Sequence, residues 1–309
     1  MAKTNKILVG CGIGCGGLLL LAVISGVGGV MWVRGTMAGF NEAIDVRQQI
    51  EARHGPAEAF VPAADGAISP STMTAFLAVR TATDPARTAL RTNFSALPVT
   101  EDAARELHDK PFLEKLASVW HIGGSAMRLA GTMGDFFAAR NQALLDHDLG
   151  MGEYTFVYVL AYYSLLHHSP DDGPDNVRVE GLEDDDEPFS LNIEPSDGSG
   201  EGRQDRSRRQ GTGALKEQVR RTVLAILRNQ LDALDETAEN TGWATRLAAE
   251  IRKMEDHEVG VPWSTELPPA IGNSLEPYRD QLEATYSPLV NPFELGRNRR
   301  RGSFAIQSD

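Results

Sequence analysis

Residues Glu153–His168 read EYTFVYVLAYYSLLHH, and this stretch decides the fold. Apart from Glu153 it carries no fixed charge, and its apolar residues run nearly all the way round a helical wheel. A helix of that kind is stable only where neighbours cover every side, so it belongs at the centre of the molecule. Its β-branched and aromatic content also suits a strand, but the length of the run and the helical periodicity on both sides select a helix. Gly150-Met151-Gly152 breaks the chain just before it. Tyr154, Tyr158 and Tyr162 recur every four residues and share one face. Such a row is either a stacking platform for a sugar or peptide, or a core face whose hydroxyls bond to neighbouring polar groups; the second is expected here.

Working outward, the flanking segments supply the covering helices. Pro111–Leu149 carries an apolar stripe of Met127, Ala130, Met133, Phe137 and Leu144. Its glycines, Gly123, Gly124, Gly131 and Gly134, each weaken a helix and imply close approach to a neighbour. Upstream, Ser69-Pro70 and Asp84-Pro85 place a capping side chain before a proline at the first helical position, and Thr100 with Glu101 and Asp102 marks a third start. Gly39–His54 reads as a polar, membrane-proximal helix stopped by Gly55-Pro56. Downstream, Leu215, Val219, Val223, Ile226, Leu227, Leu231 and Leu234 form one amphipathic helix, and Trp243, Leu247, Ile251 and Met254 a second. A short helix is expected around Leu275–Tyr286, followed by Asn291-Pro292-Phe293-Glu294-Leu295. The fold class is therefore all-α, a helical bundle whose two halves share one core.

Residues 169–212 separate those halves and differ in kind. They hold thirteen acidic and five basic residues, so −8 of the chain's net −13 falls within them. Low hydrophobicity with high charge cannot offset the loss of chain entropy, and the segment is expected to be a disordered acidic insert. The acidic balance of the whole chain excludes a nucleic-acid binder, which needs a basic face to replace counterions on phosphate.

At the N-terminal side, Ile7–Val33 is a run of 27 residues without a charge. At about 1.5 Å per residue it exceeds the roughly 30 Å hydrocarbon layer, so it is expected to cross a bilayer. Lys3 and Lys6 precede it and Trp32 sits at its far end, which suits a signal-anchor with the N-terminus in the cytoplasm and the domain on the periplasmic or extracellular side of a cytoplasmic membrane. Gly10, Gly12, Gly14 and Gly16 provide two G-x-x-x-G spacings, the pattern that lets membrane helices pack closely, and predict a homodimer through that face. Gly12, Gly14 and Gly17 also satisfy G-x-G-x-x-G, but no acidic residue follows at the ribose-binding distance and no strand–helix alternation appears, so no dinucleotide cofactor is expected. The organisation is thus a tail (1–6), a membrane span (7–33), a membrane-proximal helix and linker (34–60), a first helical part (61–168), the acidic insert (169–212), a second helical part (213–295) and a basic tail (296–309) containing Arg297, Arg299, Arg300 and Arg301.

Candidate chemistry rests on histidine, the neutral-pH base and commonest metal ligand. His147 and Asp148 lie at one helix end, and His167 and His168 at another, before Asp171 and Asp172. Brought together they would form a carboxylate–imidazole site for a metal-dependent envelope hydrolase. Without fixed ligand spacing, the same residues serve as helix C-terminal caps. Gly123-Gly124-Ser125-Ala126-Met127 lacks the second glycine of a nucleophile elbow, so catalytic residues and cofactors are not expected. The leading expectation is a single-pass membrane protein with a helical domain for binding or scaffolding, its partners being the bilayer and an envelope protein.

Overall fold

The structure is a computed structural model and describes residues 39–95, 112–173, 177–180, 190–193, 201–234 and 238–295; residues 112–127, 130, 177–180, 190–193, 201–216 and 238–241 are described by backbone alone. Its helices are α1 (residues 39–54), α2 (Pro70–Ala82), α3 (Asp84–Ser95), α4 (Phe112–Asp146), α5 (Met151–Tyr158, continued by a π-helix over Val159–Leu165), α6 (Glu201–Asp232), α7 (Ala238–Glu255), α8 (Pro269–Leu275), α9 (Arg279–Thr285) and α10 (Asn291–Glu294).

The architecture is a helical bundle wrapped around α5. Every residue from Tyr154 to Leu165 is buried, as an all-round apolar helix requires. α2 covers one side with Met73, Phe76 and Val79, and its first turn is held by Ser69, whose hydroxyl accepts from the Thr72 N–H at 3.0 Å. α6 and α7 cover another side through Val219, Val223, Ile226, Leu227, Leu247, Ile251 and Met254. A second apolar cluster joins α1, α3, α4 and α10 through Ala43, Leu90, Phe94, Met133, Phe136, Phe137, Val290 and Phe293.

Four features differ from the sequence reading. First, residues 39–54 do not stand apart as a stalk. Ala43, Val46 and Ile50 are buried, spaced three and four apart on one helix face, and seat the helix in the domain. Second, the last part of α5 is a π-helix, which the α-helical tyrosine period did not indicate. Its wider turn brings residues five apart onto one face, so Tyr163 joins Tyr158 instead of pointing away from it. Third, Val177–Glu180 and Ser190–Ile193 pair antiparallel within the acidic insert, Val177 opposite Ile193 and Glu180 opposite Ser190. Fourth, α6 begins at Glu201, upstream of the apolar pattern, because extending a formed helix costs far less than starting one. The helix start at Thr100 and the basic tail lie outside the described residues.

Glycine is demanded at Gly152. A Cβ there would lie 2.3 Å from the Ala57 carbonyl oxygen and 2.6 Å from Phe60 Cβ, so the backbone of α5 can meet the 57–60 turn only without a side chain.

Three helices end on a residue in the left-handed region: Asp148 (φ 54°) after α4, His167 (φ 57°) after α5 and His257 (φ 59°) after α7. In each case an amide just beyond reaches back to a helix carbonyl: Leu149 N–H to Leu144 O, His168 N–H to Tyr162 O, and Glu258 N–H to Lys253 O, all at 2.9 Å. Only glycine takes that conformation without steric cost. His257→Gly is therefore expected to raise stability by about 0.5–1 kcal/mol, read as a higher urea midpoint with unchanged slope.

Candidate functional site

The densest polar constellation lies where α2, α3, α4 and α5 meet the C-terminal segment Thr285–Leu295. Arg80 follows Met73 and Phe76 at +7 and +4, which puts a guanidinium on the buried stripe of α2; it is fully buried. Its Nη1 pairs with Glu294 Oε1 and donates to Tyr154 Oη at 3.2 Å, while Nη2 donates to Thr285 O at 2.6 Å. Its guanidinium carbon stands 5.4 and 5.3 Å from the ring centroids of Tyr158 and Tyr162, within cation–π range. Tyr154 Oη in turn donates to Glu294 Oε2 at 2.9 Å. Burial alone would lower the Arg80 pKa, but Glu294 and the surrounding tyrosines hold it above its ordinary value, and the cation is maintained.

Arg87, three and seven residues before Leu90 and Phe94, lies on the buried stripe of α3 in the same way. It donates through Nη1 to Thr285 O at 2.5 Å and through Nη2 to Arg80 O. Arg140 of α4 donates to Phe293 O at 3.1 Å and Glu294 O at 2.8 Å, and its Nε and Nη2 both reach Asn141 Oδ1. Burial pushes the Arg140 pKa down to about 10, partly opposed by Tyr154 and Glu294. Three cations thus face one buried carboxylate, with the exposed Asp84 Oδ1 3.3 Å from Arg87 Nη2. The balance is carried by the carbonyls of Thr285, Phe293 and Glu294, at the ends of α9 and α10, where helix dipoles point their negative ends.

Asn291 is the second hub. Its Oδ1 accepts from Tyr158 Oη at 2.9 Å and Tyr163 Oη at 2.8 Å, and its Nδ2 contacts Ser169 O, Pro170 O and Asp172 O at 3.3, 3.3 and 2.8 Å. Burial is the main reason Tyr154, Tyr158 and Tyr163 stay protonated well above their ordinary range. The tyrosine row is therefore a core face whose hydroxyls are satisfied internally, not an exposed platform. The cluster comes nearest the surface at a shallow polar notch lined by Asp84, Arg87, Thr88, Arg91, Thr285 and Tyr286.

The histidines of the candidate metal site are not brought together. His147 is exposed, and Asp148 is held by Arg53 Nε at 2.9 Å and lies 3.3 Å from His54 Nε2. His167 is exposed, and His168 stacks on Tyr286 with ring centroids 3.7 Å apart and 4.0 Å from Asp172. α5 separates the two pairs. Its fifteen residues, Met151–Leu165, span about 22 Å at a helical rise. Among the described residues no three His, Cys, Asp or Glu side chains gather as a metal site. Asp148 and His167 instead terminate helices, which accounts for their positions. Ser125 lies within α4. Gly10, Gly12, Gly14 and Gly16 lie outside the described residues, as does the whole 7–33 run; among those described, no helix is long and apolar enough to cross a membrane.

The sequence reading passed over Arg80, Arg87, Asn291 and Glu294. The first two carried a signal, a charge falling on an apolar i, i+3, i+7 stripe. Asn291 and Glu294 carried none, because their partners lie more than a hundred residues away. Comparison of the chain with protein-family models, curated proteins and solved structures found no match.

Proposed function

We propose that the protein is a single-pass, membrane-anchored scaffold: residues 7–33 cross the cytoplasmic membrane, Lys3 and Lys6 stay inside, and the helical domain stands on the periplasmic or extracellular side. The observation that carries the scaffolding role is the use made of the buried polar groups. Arg80, Arg87, Arg140, Tyr154, Tyr158 and Tyr163 could serve acid–base or anion chemistry, yet they hold the chain's own segment Thr285–Glu294 in place. Such a network rigidifies a domain and fixes a single arrangement. Among the described residues Val61 is the only exposed large hydrophobic side chain, so an envelope partner would dock through polar contacts on that surface. The homodimer through Gly10, Gly12, Gly14 and Gly16 belongs to the same reading.

The test is fractionation of cells expressing the full chain. The protein is expected in the membrane pellet, resistant to alkaline carbonate and released by detergent, and deletion of residues 7–33 moves it to the soluble fraction. Protease added to intact spheroplasts degrades the part after Arg34. A carbonate-soluble chain would refute the anchor, and a protease-protected domain would refute the outward orientation.

A further inference from the structure

We infer that the polar notch between α3 and the end of α9 is a binding site for one carboxylate group. The site lies in the helical domain and stands or falls independently of the membrane span proposed above.

The site begins with the spacing along α3. Asp84, Arg87, Thr88 and Arg91 stand at i, i+3, i+4 and i+7, which puts all four on one helix face. That face meets residues 284–287, and together they line the notch. Arg87 is 4% exposed, so the packing of α3 fixes its guanidinium in place. Nη1 donates to Thr285 O, and Nη2 to Arg80 O and, loosely at 3.3 Å, to Asp84 Oδ1. Nε is buried with no acceptor. A buried donor left unpaired costs about 1–3 kcal/mol, and an anion seated in the notch supplies the acceptor it lacks.

The rest of the lining favours the same sign of ligand. Arg91, one turn beyond Arg87, is exposed and forms no ion pair among the described residues. Thr88 and Ser287 add hydroxyl groups from the two sides of the notch. Thr285 O, which would otherwise repel an anion at the end of α9, is already engaged by Arg80 and Arg87.

Charge and size then select the ligand. Two arginines against Asp84 leave the notch with one positive charge, which suits a monoanion. Its volume is about 40 Å³, room for about three water-sized atoms at roughly 10–15 Å³ each. A carboxylate head has that many heavy atoms, whereas tetrahedral phosphate and sulfate have more. A carboxylate is also a planar acceptor that a guanidinium can hold with charge-assisted bonds to both oxygens. One oxygen accepts from Arg87 Nε, the other displaces Asp84 from Nη2, and Arg91 closes over the pair. Asp84, whose side chain is 68% exposed, turns into solvent and is thus an internal competitor for the site.

The experiment uses the full chain in detergent micelles with acetate as the probe, read by saturation transfer from protein to the acetate methyl group, with protein-free micelles as the blank. A saturable signal is expected. Arg91→Gln should weaken acetate binding about tenfold, and Asp84→Asn, which removes the competing charge, should tighten it severalfold. Phosphate at matched ionic strength is expected to displace acetate no better than chloride does. Acetyl-alanine separates two sources of the carboxylate: binding tighter than acetate assigns it to a peptide C-terminus, and equal binding to a small free acid, either of which supports the site. No saturable signal, preferential displacement by phosphate, or affinities that neither substitution changes would overturn the assignment, with the membrane anchor untouched. Both substituted positions are exposed, and circular dichroism at 222 nm verifies that each variant remains folded.

Discussion

Arg80→Met is expected to lower the free energy of unfolding by about 3–5 kcal/mol, the usual cost of removing one partner of a buried ion pair. The substitution leaves Glu294 as a carboxylate at 1% exposure with one donor, Tyr154, and removes one of the two donors to Thr285 O, that of Arg87 remaining. Arg140 contacts the backbone at Glu294 and not its carboxylate, so it does not replace the missing cation. Glu294→Gln is expected to cost less, since the amide oxygen still accepts from Arg80, although the charge is lost and an N–H donor replaces the oxygen that accepted from Tyr154. The informative measurement is a double-mutant cycle with Arg80→Met and Glu294→Leu, unfolded in urea and followed by the fluorescence of the stacked pair Trp243 and Trp263. The double variant should lose clearly less than the sum of the single variants, because the apolar replacement leaves no charge buried alone. Strict additivity would mean that the two side chains do not act as a pair.

Asn291→Leu is expected to have an effect of similar size. It strips the acceptor from Tyr158 and Tyr163 and the donor from three carbonyls of residues 169–172, and each buried polar group left unpaired costs about 1–3 kcal/mol before water repays part of it. A loss of about 3–6 kcal/mol follows, with the C-terminal segment released and cleaved by protease around Ser287–Leu295. Asn291→Asp separates the two halves of the hub. It keeps acceptors for the tyrosines but turns a carboxylate toward carbonyl oxygens, so burial and those dipoles raise its folded-state pKa above the unfolded value. The penalty is present above that folded pKa and is relieved as pH falls through it, since the protonated side chain can donate again. Urea midpoints that rise as pH is lowered from 8 to 5, relative to the parent, are the expected result. A midpoint difference independent of pH would refute the assignment of Nδ2 to the carbonyl side.

These two residues mark where a one-dimensional reading stops. Ser69 and Asp84 could be named as helix starts because capping acts within three residues. The centrality of EYTFVYVLAYYSLLHH could be named because an all-round apolar helix has no stable exposed face. Arg80 and Arg87 were half legible: their place on apolar stripes was visible, but the compensating carbonyls come from residues 285 and beyond. The π-helical end of α5 left no mark in the tyrosine spacing, since its wider turn is stabilised by what the tyrosines reach, Asn291 and Thr285, and not by local propensity. The histidine pairs illustrate the reverse case, residues with suitable chemistry at helix ends that a fifteen-residue helix keeps apart.

Local rules therefore determined the helical class, the helix starts at Ser69 and Asp84 and the central segment, because periodicity and capping act over one or two turns. Which buried charges meet was decided only by tertiary structure. An arginine on an apolar stripe is tolerable solely when distant carboxylates and carbonyls converge on it, and that convergence is a property of how the C-terminal segment folds back across the bundle.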